Sequence, residues 1–229
     1  VPAPLYPPAR PSQLEEHLQR HVRILANARA VVLVTFGTVR RVTRLVAPQV
    51  PSLAQVVTPD QLQQADTVAG PVTGPDPQAT ALVQYTSGST GDPKGVVLRH
   101  ANLLANMRAM AQVGDLDPQR DVFVSWLPLY HDMGLIGAWL TSLYTGTPLV
   151  VLSPLAFLAR PVRWLQAIQE HGGTISGGPN FGYELCVRRT SDDDLTGLDL
   201  GTWRLAFNGA EPVNADTLRR FADRFAPVG

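Results

Sequence analysis

Residues 81–98 read ALVQYTSGSTGDPKGVVL, and this stretch is the most informative part of the sequence. Two apolar runs, at 81–85 and 96–98, are typical of β-strands. Between them lie four hydroxyl side chains, three glycines and Lys94. Glycines let backbone N–H groups converge on an anion, and hydroxyls and a lysine add donors and positive charge. The pattern predicts a strand–loop–strand unit that binds phosphate groups; an ordinary polar hairpin loop is the alternative.

The loop differs from the P-loop of nucleoside triphosphatases. In the P-loop pattern, G-x-x-x-x-G-K-[ST], a glycine precedes the lysine, whereas Pro93 precedes Lys94 here. We therefore expect a phosphate-binding loop of another kind, formed between two strands. The residues expected to contact phosphate are Thr86, Ser87, Gly88, Ser89, Thr90, Gly91 and Lys94.

From residue 81 onward, strand patterns alternate with helix patterns. This alternation predicts crossover connections and an α/β fold, with largely parallel sheets flanked by helices. Residues 66–80 are rich in glycine and proline and contain few large apolar side chains, which indicates a linker or a loop between lobes. We therefore expect a flanking α/β lobe over residues 1–79 and a second lobe over residues 80–229.

The first lobe contains weaker signals. Residues 12–15, SQLE, form a capping box that predicts a helix from there to about residue 29. The run 31–35 predicts a buried strand, 55–57 a second strand, and 41–46 a weaker helix. His17 and His21 are spaced so that they could share a metal ion. Because no acidic or cysteine partner follows them, a solvated helix face is the preferred interpretation.

Composition limits the partners that the chain is expected to have. Its formal net charge is zero, which indicates no electrostatic surface for nucleic acid or membranes. No apolar run approaches the length of a membrane span, and the N-terminus lacks the layout of a secretion signal. Cys186 is the single cysteine, so an internal disulfide is impossible and a buried thiol is expected. We therefore expect a cytoplasmic protein; its oligomeric state is left open.

Three further segments, together with the loop, resemble one superfamily. Residues 126–137 read WLPLYHDMGLIG, residues 177–186 read GGPNFGYELC, and residues 203–213 read WRLAFNGAEPV. In this order, the four segments resemble the adenylate-forming superfamily of acyl-CoA synthetases, nonribosomal-peptide adenylation domains and luciferases. The residue choices in the segment 126–137 are similar to those of its fatty acyl-AMP ligase branch.

This resemblance implies activation of a fatty acid by ATP, with acyl-adenylate and pyrophosphate as products. The loop would hold the β- and γ-phosphates, and Mg²⁺ would bridge phosphate oxygens, with Thr86 as a candidate ligand. His131, Lys94 and Thr86 are the implied catalytic residues. We expect His131 to orient the carboxylate and the adenylate, because forming a mixed anhydride from an ionised acid needs no general base. From composition alone, His131 and Asp132 would be a surface histidine and a helix cap.

The resemblance also implies where the acyl group and the base bind. The expected acyl-binding residues are Met133, Gly134, Ile136, Phe181 and Gly182, although a helix face of this kind is also typical of a core. The implied adenine-binding residues are Asn208, Gly209, Ala210 and Glu211, because small residues let a flat base lie against the backbone; a structural role is the alternative for Glu211. The acidic run 192–194 predicts an exposed loop.

Three functions stay open at this point. The first is a fatty acyl-AMP ligase that passes the acyl group to an acyl carrier protein, the second an acyl-CoA synthetase that uses CoA, and the third a non-catalytic nucleotide- or acyl-binding module. The superfamily has further downstream segments, with a magnesium-binding glutamate, a ribose-binding aspartate and an adenylation lysine, which are not found in these 229 residues. We therefore expect part of a large N-terminal domain, which by itself would bind ATP weakly and not turn over.

Overall fold

The structure is a computed structural model that describes residues 1–6, 14–37, 39, 43, 45–64, 74–86 and 93–229. The described chain divides into two compact units, Val1–Asn102 and Leu103–Gly229. Most of the predicted linker and most of the predicted phosphate loop lie outside the described residues. The expected lobe boundary after residue 79 stays a prediction.

Within its described residues, the first unit contains two strand pairs and a long N-terminal helix. β1 (Val32–Val34) pairs in parallel with β2 (Gln55–Val57), and β3 (Thr80–Thr86) pairs antiparallel with β4 (Lys94–Arg99). The predicted first helix and all four predicted strands are confirmed, whereas the predicted helix over 41–46 lies partly outside the described residues. The elements are α1 (Leu14–Asn27), β1 (Val32–Val34), a 3₁₀ turn (Ala47–Gln49), β2 (Gln55–Val57), α2 (Pro59–Gln63), β3 (Thr80–Thr86) and β4 (Lys94–Arg99).

One face of β1 is exposed, so the prediction of a buried strand is wrong. Val32 and Val34 are 46% and 51% exposed, whereas Leu33 packs against the buried Leu25 and Val50. Successive side chains of a strand point to opposite faces. A continuous apolar run therefore does not distinguish a strand covered on both faces from one covered on a single face.

His17 is buried on α1, so the predicted solvated face is wrong at this position. The ring centroids of His17 and His21 lie 4.0 Å apart. The ring of Tyr6 packs edge-on against both, with centroid distances of 5.1 and 5.9 Å. The N-terminal segment thus covers this helix face with an aromatic ring, and the spacing of residues along a helix does not show such a contact.

The second unit is built on a four-stranded parallel sheet. α3 (His100–Val113) begins in the first unit and continues into the second. The strands lie in the order β6 (Leu149–Val151), β5 (Phe123–Ser125), β7 (Ile175–Gly178), β8 (Leu205–Asn208), and every pairing is parallel. The predicted α/β fold is therefore confirmed. The elements that follow α3 are β5 (Phe123–Ser125), a π-helix (Met133–Leu140), α4 (Thr141–Thr145), β6 (Leu149–Val151), α5 (Pro154–Ala159), α6 (Val162–Glu170), β7 (Ile175–Gly178), α7 (Asn180–Arg189), β8 (Leu205–Asn208) and α8 (Ala215–Phe225).

An aromatic cluster forms the core of the second unit. Phe157 and Trp164 are fully buried, and Trp126 stacks on Phe157 with ring centroids 3.9 Å apart. The Trp164 indole N–H donates to Ser176 Oγ at 2.7 Å, so its polar edge is satisfied inside the core. The sequence pattern does not predict α5, which carries Phe157, because six residues are too few to show a helical period.

Two smaller predictions have different outcomes. Cys186 is fully buried in α7, as predicted, and burial raises the pKa of its thiol well above the usual range. The prediction that the acidic run 192–194 forms an exposed loop is wrong at Asp194. That side chain is 16% exposed, and its Oδ1 lies 2.6 Å from Arg160 Nη2. The ion pair anchors the 3₁₀ turn Asp193–Leu195.

Candidate active site

Three neighbouring parallel strands of the second unit end at the same edge of the sheet. Residues 126–131 follow β5, residues 179–181 follow β7, and residues 209–211 follow β8. β5 is adjacent to β7, and β7 is adjacent to β8. Open α/β sheets bind ligands beside the carboxyl ends of their strands. The topology therefore brings three of the four sequence motifs together.

A cavity of about 310 Å³ lies at this edge, at the lower end of the range for small-molecule sites. It brings together five predicted site residues from three segments: His131, Met133, Phe181, Ala210 and Glu211. His131 and Glu211 supply its ionisable groups, and the rest of the lining is mainly apolar. The complete lining consists of Trp126, Leu127, Pro128, His131, Met133, Pro179, Phe181, Ala210 and Glu211.

His131 is oriented by its neighbour in the sequence. Its Nδ1 lies 2.6 Å from Asp132 Oδ1, and the two side chains are 55% and 62% exposed. The same oxygen accepts a hydrogen bond from the Met133 backbone N–H at 2.8 Å, so Asp132 caps the following helix, as predicted. Because Nδ1 is directed at the carboxylate, Nε2 is the ring atom available to a ligand.

Three predicted acyl-binding residues, Gly134, Ile136 and Gly182, are not part of the cavity lining in the described chain. The two glycines instead permit close packing beside it. A Cβ on Gly134 would lie 2.3 Å from the Pro128 carbonyl oxygen, and a Cβ on Gly182 would lie 2.6 Å from Trp126 Cζ2. These glycines therefore shape the cavity indirectly, and direct contact with an acyl group stays a prediction.

An asparagine pair fixes the segment that follows β8. Asn208 Nδ2 donates to Asn180 Oδ1 at 2.8 Å, and Asn180 Nδ2 donates to the Pro212 carbonyl at 2.8 Å. The Asn214 N–H donates to the same Asn180 oxygen at 3.0 Å. Asn208 Oδ1 is buried and has no hydrogen-bond partner within the described residues. Of the predicted adenine-binding residues, Asn208 and Gly209 are not part of the cavity lining in the described chain, whereas Ala210 and Glu211 are.

The backbone at Ala210 is strained. Its φ of 74° lies in the left-handed region, which is unfavourable for a residue with a Cβ. Strain of this kind is concentrated at functional sites. A Cβ on the preceding Gly209 would have only the tip of Met133 near it, at 3.9 Å. The backbone after β8 is therefore open enough for a flat group to lie against it.

Thr86 and Lys94 lie in the first unit, at the two ends of the predicted phosphate loop. They are partners in the antiparallel pairing of β3 and β4, and both are exposed. This pairing brings the ends of the loop together, as a strand–loop–strand unit requires. The phosphate contacts predicted for residues 87–91 lie outside the described residues and stay a prediction.

The cavity also contains four residues that sequence reasoning did not assign to a site: Trp126, Leu127, Pro128 and Pro179. All four belong to the motif segments quoted above, and this membership was the signal that could have identified them as site residues. It was weak for Trp126, because a large aromatic residue at the end of a buried strand is usually a core residue. Asn180 was missed for a similar reason, since a polar residue that opens a helix is usually a cap.

A metal-binding cluster and a membrane-spanning helix are both missing from the part of the chain that the structure describes. There, no group of three or more His, Cys, Asp or Glu side chains is arranged to hold a metal ion. None of the described helices combines the length and the apolar composition needed to cross a bilayer.

The fold and the cavity define a class of enzyme. Residues 1–229 match the family model described as AMP-binding enzyme, and the chain belongs to this family. The predicted resemblance to the adenylate-forming superfamily is thereby confirmed.

Individual relatives indicate which branch of the superfamily the chain resembles. The medium-chain-fatty-acid–[acyl-carrier-protein] ligase TtuA of Teredinibacter turnerae is 50% identical over 153 residues, which are 67% of this chain and 24% of that protein. The 4-hydroxyphenylalkanoate adenylyltransferase of Mycobacterium tuberculosis is 45% identical over 207 residues, 88% of this chain and 33% of that protein. A solved structure from a study of fatty acyl-adenylate ligases from E. coli and L. pneumophila matches the whole chain with a TM-score of 0.94 at 37% identity.

The chain covers 41% of that solved structure. It therefore spans between about a quarter and two fifths of these three proteins. The resemblance to the fatty acyl-AMP ligase branch is confirmed.

Proposed function

We propose that the protein activates a fatty acid with ATP, forms an acyl-adenylate with release of pyrophosphate, and passes the acyl group to an acyl carrier protein. One observation carries this proposal. A single cavity combines His131 with the apolar Met133 and Phe181 and with Ala210 and Glu211. An acyl-adenylate requires these three surroundings side by side: a polar group at the reacting carboxylate, an apolar wall and an open backbone for the base.

The base is proposed to lie against Gly209 and Ala210. Asn208 ends β8 directly before this backbone, and its side-chain amide would lie beside the base. Glu211, on the cavity lining, would contact the outer part of the nucleotide. This arrangement explains why the Asn180 hydrogen bonds are needed: they hold the segment 208–214 in place before a ligand binds.

The acyl group is proposed to lie along Met133 and Phe181. Phe181 is 48% exposed although it lines the cavity. Covering this ring with an acyl chain would remove apolar surface from water, at about 25 cal/mol per Å². Gly134, Ile136 and Gly182 would support this wall from behind.

The triphosphate is proposed to bind the loop between β3 and β4. Lys94 adds a positive charge at one end of the loop, and Thr86 adds a hydroxyl at the other. Mg²⁺ that is held mainly by phosphate oxygens needs few protein ligands, and the exposed hydroxyl of Thr86 is an oxygen donor of the type that Mg²⁺ prefers. The metal would neutralise phosphate charge when it is bound with ATP.

The reaction joins two anions, so charge neutralisation is its main catalytic requirement. Fixed donors and positive charges aimed at the phosphorus supply the largest share of such stabilisation. His131, held through Nδ1 by Asp132, would position the substrate carboxylate with Nε2. No general base is required, because the attacking carboxylate is already ionised.

The proposal is tested by ATP–pyrophosphate exchange with the full-length protein and a series of carboxylic acids. His131→Ala is expected to lower kcat/KM by about a hundredfold, the usual cost of losing one polar group at a reacting centre. Lys94→Ala is expected to lower kcat/KM for ATP in the same assay. His171→Ala, at an exposed position at the end of α6, is the matched control and should leave exchange unchanged.

The same assay separates the alternatives. Transfer to an acyl carrier protein, with no turnover of CoA, supports the ligase; turnover of CoA instead supports an acyl-CoA synthetase. A protein that binds ATP but catalyses no exchange with any acid would support the non-catalytic module and contradict the proposal.

A second substrate class is favoured by one relative. The Mycobacterium tuberculosis protein that is 45% identical to this chain is named for 4-hydroxyphenylalkanoates, and the cavity presents two aromatic side chains, Trp126 and Phe181. Aromatic rings pack favourably against one another in edge-on or offset geometry. Including 4-hydroxyphenylalkanoates in the acid series distinguishes an aryl-acid substrate from a simple alkyl chain.

A further inference from the structure

We infer that Trp126 forms the closed end of the cavity and limits the length of the acyl chain that the enzyme activates. This inference rests on the proposed function, because it assigns a specificity-determining residue within the same site. Trp126 is not among the residues that the sequence motifs assign to the acyl group.

The residues that line the cavity differ in exposure, and Trp126 and Leu127 form its most buried part. Trp126 and Leu127 are 2% and 4% exposed, whereas Phe181 is 48% exposed. The His131 side chain, on the same lining, is 55% exposed. The reacting carboxylate is proposed to lie near His131 and the acyl chain along Phe181. The ring of Phe181 meets the indole of Trp126 edge-on, with centroids 5.7 Å apart, so the chain would end at this buried indole.

The indole of Trp126 is backed by the core on its far side. It stacks on Phe157 with centroids 3.9 Å apart and planes 20° from parallel, and Phe157 is fully buried. Trp164 meets the same indole edge-on at 5.8 Å. Because protein cores are close-packed, the indole has no free space behind it into which it can retreat.

Two glycines hold the edge of the indole. A Cβ on Gly178 or on Gly182 would lie 2.6 Å from Trp126 Cζ2, so the ring fits only because both positions lack a side chain. One glycine ends β7 and the other lies in the first turn of α7. The indole is thus enclosed by a strand, a helix and the aromatic core, which makes it a fixed wall.

A fixed wall predicts a sharp limit on acyl length. A chain too long for the cavity has to displace the indole or leave methylenes in water, and each methylene in an apolar pocket changes discrimination by about tenfold or more. Replacing Trp126 by a smaller side chain would open space that is continuous with the cavity. Longer acids would then be accepted.

The test uses the full-length protein and straight-chain acids from hexanoic to octadecanoic acid, with kcat/KM measured by pyrophosphate exchange. Trp126→Leu and Trp126→Ala are expected to move the optimum to longer acids and to raise the ratio of long-chain to short-chain kcat/KM by about tenfold. Trp126→Phe keeps an aromatic wall and should retain the wild-type profile more closely. Thermal melting identifies which variants are folded, and Trp126→Leu serves if Trp126→Ala is not.

The control is Trp203→Phe, which alters the same aromatic cluster at a position outside the cavity lining, where the ring meets Trp164 and Phe221. It should lower the melting temperature and leave the length profile unchanged. A folded Trp126→Leu protein with the wild-type profile overturns the inference while the proposed function stands. A wild-type protein that activates no acid overturns the proposed function, and the inference with it.

Discussion

Arg204 and Asp121 form a two-pronged ion pair that joins the start of β8 to the start of β5. Arg204 Nε lies 2.8 Å from Asp121 Oδ1, and Nη2 lies 2.6 Å from Oδ2. The Asp121 side chain is completely buried. It also accepts hydrogen bonds from Thr174 Oγ1 at 2.8 Å and from the Asp117 N–H at 2.9 Å. These contacts tie together the amino-terminal ends of the strands whose carboxyl ends form the cavity.

Asp121→Ala should therefore be among the most destabilising substitutions in the second unit. Removing one member of a buried ion pair leaves the other charge uncompensated, at a cost of about 3–5 kcal/mol. Urea denaturation measures this loss in the free energy of unfolding. Arg120→Ala removes the more exposed partner of the same carboxylate and should cost less than about 1 kcal/mol. If Asp121→Ala and Arg120→Ala lower the free energy of unfolding equally, Arg204 is not the dominant partner of Asp121.

The histidine pair on α1 predicts that stability falls in mild acid. Burial, followed by the charges of His17 and Arg20, lowers the pKa of His21 from 6.5 to about 4. Between these two pH values the unfolded chain binds a proton that the folded chain does not, so stability is lost as the pH falls from 6.5 towards 4. Thermal melting across this range measures the loss. His21→Gln should weaken the dependence of the melting temperature on pH, whereas His171→Gln, at an exposed position, should not. If His21→Gln leaves this dependence unchanged, His21 is not the cause of the loss of stability in acid.

Gly182→Ala should destabilise the protein through Trp126. The new Cβ would lie 2.6 Å from Trp126 Cζ2, and overpacking of this kind costs about 1–3 kcal/mol. Gly137→Ala is the matched control, because nothing lies within 4 Å of its Cβ position and alanine favours a helix by about 0.5–1 kcal/mol. Differential scanning calorimetry should show opposite shifts in melting temperature. Two shifts of the same sign would argue against the packing interpretation.

Ala210→Gly should raise the free energy of unfolding, which is unusual for a substitution to glycine. The φ of 74° at Ala210 costs an alanine about 1–2 kcal/mol. Glycine removes this cost and loses about 0.5–1 kcal/mol to the entropy of the unfolded chain, so a net gain of about 0.5–1 kcal/mol is expected. Ala206→Gly, in the middle of β8, should instead lower stability. Guanidinium denaturation compares the two, and a loss in both would show that Ala210 is not strained.

Part of the site was predictable because its signals are local. The strand patterns predict strands over 122–126, 174–176 and 204–207, and the structure has β5, β7 and β8 within two residues of these bounds. These strands position His131, Phe181 and Ala210. Parallel pairing then makes their carboxyl ends meet at one edge, which follows from the alternation without knowledge of side-chain packing. Five predicted residues accordingly line one cavity.

The remaining features required contacts between segments that are distant in the chain. In the sequence, Asn180 is only a polar residue that opens a helix. The structure shows that its side chain is hydrogen-bonded to Asn208 and to the Pro212 carbonyl. Gly182 looks like a channel residue until the indole of Trp126 is seen at the position of its missing Cβ. The burial of His17 depends on Tyr6, which the helical period of α1 does not include.

The amino-acid sequence alone determined the α/β class, the order of the four motifs and the family, because periodicity and motif composition are properties of short segments. The tertiary structure decided which of the motif residues share a cavity and that the buried Trp126 is one of them. It also decided that Asp121 meets Arg204. Those outcomes depend on which strands become neighbours and on how side chains divide a close-packed interior, and neither is encoded in any single segment.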